Sequence, residues 1–84
     1  MYQIDGREVL FEWLRRQGDP ERRMAMLDWI VTFASNPLAG AQRVPGVRAP
    51  VFIAVVPLNP PVVVTFLHAE QFRTVRLIKI TPLP

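Results

Sequence analysis

VFIAVVPLNPPVVVTFLHAEQFRTVRLIKI, residues 51–80, decides the fold. Val51 to Val56 is a β-branched run closed by Pro50 and Pro57. Proline donates no backbone hydrogen bond, so it belongs at strand ends and turns. Val62 to Leu67 repeats the pattern after Pro60-Pro61, and Pro57-Leu58-Asn59-Pro60 is the turn between the two. A third run, Phe72 to Ile80, follows a turn at His68 to Gln71. Short strands at this spacing predict an antiparallel meander over about residues 50–81. The first two lack polar alternation, which predicts cover on both sheet faces. Arg73, Arg76 and Lys79 interrupt the third. VFIAVV and VVVTFL are aggregation-prone on an open edge, and the flanking prolines and arginines guard them.

Eight of the nine prolines lie in residues 37–84 and only Pro20 precedes them, so the helices belong before residue 37. Tyr2 and Ile4 alternate with polar neighbours and predict a short first strand. Asp5 reads as a helix N-cap, with Glu8 three residues on completing a capping box. Val9, Leu10, Trp13 and Leu14 form one helical face. Gly18 suits the left-handed position that ends a helix. Asp19-Pro20 then offers a cap and a first-turn proline, and Glu21 adds charge that the helix dipole favours. The second helix is predicted from Pro20 to about Ser35. Leu27, Ile30, Val31 and Ala34 form one stripe, and Met26, Trp29 and Phe33 a second beside it, so the apolar face is wide. Asn36-Pro37 stops this helix. PLAGAQRVPGVRAP, residues 37–50, reads as a loop. The expected order is β-α-α-β-β-β. This is one α+β domain over residues 1–84, a helical hairpin at about 6–36 packed on a small, mainly antiparallel sheet.

Half of the 84 residues are apolar, which excludes disorder and exceeds what so small a core easily hides. With no cysteine there is no disulfide scaffold or thiolate metal site, which fits a reducing compartment. The longest apolar run, Val51 to Leu58, falls far short of the roughly 20 residues of a membrane span. The opening MYQIDGREVL lacks a signal-peptide core, so the expectation is a cytoplasmic protein.

The net charge of +3 divides unevenly. Residues 1–36 hold five Arg and six acids, a net of −1; residues 37–84 hold four Arg and Lys79 against Glu70 alone, a net of +4. Arg43, Arg48, Arg73, Arg76 and Lys79 are the candidate contacts to a phosphate-rich target such as RNA. The alternative reading of the same residues is a solubilising edge on an apolar strand. Arg15-Arg16 and Arg22-Arg23 read as the wet faces of the helices, with Glu12 placed to pair with Arg15 or Arg16. Trp29, Phe33, Phe52 and Phe66 are the candidate partner-binding residues, although side chains in such stripes and strands more often belong to the core. The catalytic inventory is thin. His68 is the only histidine, Glu70 stands two residues away, and no nucleophile lies beside them. His68 and Glu70 do not make up a metal set, and no Gly-rich phosphate loop is present. No cofactor is implied.

The layout resembles the RelE/ParE superfamily of toxins from type II toxin–antitoxin modules. The likeness rests on FASNPLAGAQRVPGV, where Asn-Pro ends a helix before a Gly-containing loop, and on VFIAVV, VVVTFL and RTVRLIKI in that order after MYQID and a helical hairpin. It implies a growth inhibitor acting on ribosome-bound mRNA or on DNA gyrase and neutralised by a cognate antitoxin. The ribonuclease members carry basic residues in the first two meander strands and Arg with Tyr or His after the last. VFIAVV and VVVTFL carry none, and the last strand runs into TPLP. No catalytic residue is therefore carried over. The second expectation is a non-enzymatic interaction module, a homodimer or an accessory subunit built on the apolar sheet face.

Overall fold

The computed structural model describes residues 1–83. These form β1 (Gln3–Asp5), α1 (Arg7–Arg16), α2 (Pro20–Ser35), β2 (Gln42–Arg43), β3 (Val51–Val56), β4 (Val62–Ala69) and β5 (Thr74–Pro82). The sheet order is β1-β5-β4-β3-β2, with β1 parallel to β5 and all other pairs antiparallel. The α+β architecture, helical hairpin and meander are as the sequence predicts.

Register explains which side chains enter the core. Val62, Val64, Phe66 and His68 alternate along β4 toward the helices. Their partners Val56, Ala54 and Phe52 on β3, and Ile80, Leu77 and Val75 on β5, share that face. Leu10, Met26 and Phe33 from the hairpin close the core over them. Phe33 meets Phe66 edge-on at 4.9 Å and stacks on Trp29 at 4.7 Å.

Four local expectations are corrected. First, Asp5 is the last residue of β1 and Gly6 caps α1, with φ 71°. A Cβ there would lie 2.5 Å from the Leu77 carbonyl oxygen, so the tight β1–α1 corner over β5 excludes side chains. Second, Gly18 is not left-handed. The interhelix turn is held instead by Gln17, whose amide carries the C-cap bond to Leu14. Its side chain donates to the Trp13 carbonyl and accepts from Arg22 Nε at 3.0 Å, and its carbonyl accepts from Arg23 at 2.7 Å. Third, this makes Arg22 and Arg23 structural rather than wet. Arg22 also donates to the Pro60 carbonyl at 2.7 Å and lies over Trp13. Arg15 and Arg16 are exposed and pair with Glu12 as expected. Fourth, the 37–50 loop contains an edge strand, β2, because Gln42 and Arg43 complete the free side of β3.

The Asp19 cap holds, its carboxylate accepting from the Glu21 amide at 2.9 Å with Pro20 following. β4 runs on to Ala69 through the predicted turn. A short 3-10 turn, Glu70–Phe72, then delays β5 to Thr74.

Candidate functional site

The five basic candidates do not gather in one place. Arg43 and Arg73 lie at the strand ends near the C-terminus of α2, whereas Arg76 and Lys79 lie on the far face of the sheet. Each location has its own surroundings.

At the strand ends a row of cations and rings crosses the molecule. The Arg43 guanidinium lies over Phe52 at 5.7 Å, Phe52 meets His68 edge-on at 6.0 Å, His68 lies 5.3 Å from Tyr2, and Arg73 caps Tyr2 at 4.6 Å. Arg43 also donates to the Arg48 carbonyl at 3.3 Å, which folds the Arg48 segment against this row. Arg73 adopts φ 46°, a left-handed conformation uncommon outside glycine, as it leaves the 3-10 turn. The Tyr2 hydroxyl donates to Glu70 and lies 3.3 Å from His68 Nε2, which is itself 3.3 Å from Glu70. The phenol is held above its ordinary range, first by that bond to Glu70, then by burial and the carboxylate charge, against the opposing pull of Arg73. Two arginine side chains, Arg43 and Arg73, against the Glu70 carboxylate leave the end cationic, suited to phosphate, and Arg48 adds its backbone carbonyl to the Arg43 contact.

His68 is therefore not a turn residue. It is a buried strand residue whose Nε2 faces the Tyr2 hydroxyl and the Glu70 carboxylate. Sequence reasoning missed the Tyr2–His68–Glu70 cluster because no local spacing joins residues 2 and 68. The parallel β1–β5 pairing brings them together. Among the described residues no group of three His, Cys, Asp or Glu could hold a metal.

The sheet face turned away from the helices is the second location. Val51, Ile53 and Val55 on β3 and Val63, Thr65 and Leu67 on β4 point to it. None of them belongs to the hydrophobic core cluster; Val55 is exposed, Val51, Ile53, Val63 and Leu67 are half-buried, and Thr65 is buried among its strand neighbours. The core-facing helices lie on the other side of the sheet, so the expected cover on both faces is not supplied by a helix among the described residues. Val55 is 51% exposed, and Phe72 at the rim is 70% exposed. A register break in β5 places the charges. Leu67 pairs with Arg76 and Thr65 with Lys79, although residues three apart on a regular strand face opposite ways. Ile78 is the extra residue of this bulge, so Arg76 and Lys79 stand together on the apolar face. Asp5, opposite Arg76, is the one acid of this face among the described residues.

The aromatic partner candidates also separate. Phe33 and Phe66 are core residues, 5% and 0% exposed, and the fold removes them from any docking surface. Trp29 and Phe52 are partly buried against that core.

A helical hairpin on one face of a five-stranded mixed sheet is a fold shared with solved RelE structures. The chain is similar over its whole length to the isolated E. coli RelE toxin, with TM-score 0.71, 15% identity and 86% of that chain covered. It matches a chain of the intact E. coli RelBE toxin–antitoxin complex with TM-score 0.70, 15% identity and 99% of that chain covered. No protein-family model matches the sequence, nor does any curated protein.

Proposed function

We propose that this chain is the toxin-like subunit of a bacterial toxin–antitoxin module, working in the cytoplasm and neutralised by an acidic antitoxin seated on its open sheet face. One observation carries the reading: on a RelE-like fold, the face left bare is apolar and bears Arg76 and Lys79 side by side. An apolar sheet face with Val55 and Phe72 exposed suits a partner, and the paired cations favour an acidic one. The strand-end cations Arg43, Arg48 and Arg73 are assigned to the target, whether ribosome-bound mRNA or DNA gyrase. No helix among the described residues is long and apolar enough to cross a membrane.

The second reading is a toxin relative without catalysis that serves as an interaction module. It is favoured by one observation: β3 and β4 carry no Lys or Arg. Expression of the chain alone in bacteria separates the two. Growth arrest that is relieved by the protein encoded beside it supports the first reading. Normal growth at high soluble expression sinks it and leaves the second.

A further inference from the structure

We propose that the β1 end of the open sheet face binds a small zwitterion, an apolar α-amino acid. This inference does not rest on the toxin reading. A cavity of about 330 Å³ opens there, lined by Asp5 of β1, Leu67 and Ala69 of β4, Phe72 of the 3-10 turn, and Thr74 and Arg76 of β5. Small-molecule sites hold about 300–1,000 Å³ and have the same make-up, apolar walls with a few polar groups. The backbone around the cavity is fixed. The Gln3 amide donates to the Arg73 carbonyl at 2.9 Å, the Arg73 amide to the Glu70 carbonyl at 3.0 Å, and the Thr74 hydroxyl to the Phe72 carbonyl at 3.0 Å. Phe72 is thereby held at the rim although it is 70% exposed.

Two unpaired charges of opposite sign identify the ligand. Asp5 and Arg76 are partners in the parallel β1–β5 pair, so their side chains leave the same face from backbones about 4.8 Å apart. Charges so placed ordinarily pair. Here they do not: among the described residues the ion pairs are those of Glu12 with Arg15 and Arg16, and of Glu70 with His68. The Asp5 carboxylate accepts one bond, from the Gln3 side-chain amide at 3.2 Å, and the Arg76 guanidinium makes none among the described residues. A plain anion would meet the Asp5 carboxylate, and a plain cation the Arg76 guanidinium. A molecule with both charges on neighbouring atoms satisfies both. An α-amino acid has that arrangement, its carboxylate for the Arg76 fork and its ammonium for Asp5. Its hydrocarbon side chain then lies on Leu67, Ala69 and Phe72. A nucleotide would bring a doubly charged phosphate to a cavity lined by a single cation, since Lys79 does not line it.

Amide NMR spectra of the purified chain titrated with L-leucine test this. The expected result is a dissociation constant of about 1 mM, with shifts centred on the amides of Ala69, Phe72 and Thr74. Leucinamide, which lacks the carboxylate, and isocaproate, which lacks the ammonium, should each bind at least about 10-fold more weakly. Arg76→Gln should weaken leucine about 10-fold and leave leucinamide unchanged, and Asp5→Asn should weaken leucine about 10-fold and leave isocaproate no weaker. The analogue series on the unsubstituted chain decides the matter even where a variant fails to fold. No shift at these amides up to about 20 mM leucine overturns the proposal, and so do analogues that bind as tightly as leucine. Guanosine monophosphate binding more tightly than leucine at the same amides also overturns it, and gives the cavity to nucleotides.

Discussion

Replacing Gly6 by alanine should be the most damaging single-methyl change in this chain. Two costs combine. At φ 71° any L-residue incurs about 1–2 kcal/mol of left-handed strain. The new Cβ would also lie 2.5 Å from the Leu77 carbonyl oxygen and 3.1 Å from its amide nitrogen, both backbone atoms of β5. Neither can rotate away, so β1, α1 or β5 must move, adding about 1–3 kcal/mol, as overpacking does. The total is about 3 kcal/mol, against about 4–12 kcal/mol for an 84-residue domain by the usual per-residue stability. Two controls separate the costs. Gly40 has φ 74° with nothing within 4 Å, so Gly40→Ala should cost only the strain, about 1–2 kcal/mol. Gly18 has neither a positive φ nor a neighbour, so Gly18→Ala should be neutral or stabilise by about 0.5 kcal/mol. Urea unfolding of the three variants at one pH reads the series. A Gly6→Ala cost no larger than that of Gly40→Ala would refute the close β1–α1 approach to β5.

Other perturbations test other parts of the account. Asp19→Ala should cost about 1 kcal/mol in urea unfolding through loss of the α2 cap, whereas Asp5→Ala should lose no cap energy. Arg22→Ala should cost about 1–2 kcal/mol by thermal or urea unfolding, and Arg22→Lys should restore little, because Gln17, Pro60 and Trp13 are held by one planar fork. Tyr2→Phe tests the strand-end cluster. With the folded phenol above its ordinary value of 10.0, its contribution is fully present below that pH and is lost as pH rises through the folded value. The unsubstituted chain should therefore lose stability in that alkaline range more steeply than Tyr2→Phe, and parallel curves would remove the assignment.

The meander was legible because proline brackets VFIAVV and VVVTFL, and a strand with no polar alternation leaves little choice of element. α2 was legible for the same kind of reason, framed by Asp19-Pro20 and Asn36-Pro37. The misreadings share one cause: the deciding partner is distant in sequence. Asp5 yields the cap to Gly6 because Leu77 occupies the space a side chain needs. Gln42 and Arg43 are a strand only because β3 offers a free edge. Arg22 looks like a solvated charge until Pro60 arrives. The site divided likewise. The charges themselves were readable, but their distribution between two locations depends on the Ile78 bulge, and period-two reasoning sends Arg76 and Lys79 to opposite faces.

The central claim is that the open sheet face seats an acidic partner. Isothermal titration of the chain with the acidic protein encoded beside it measures that directly. The account predicts stoichiometric binding that Val55→Asp and the pair Arg76→Glu, Lys79→Glu each weaken by at least about 30-fold, with Val31→Asp without effect. Binding of undiminished strength in the sheet-face variants, with their fold intact, would contradict it.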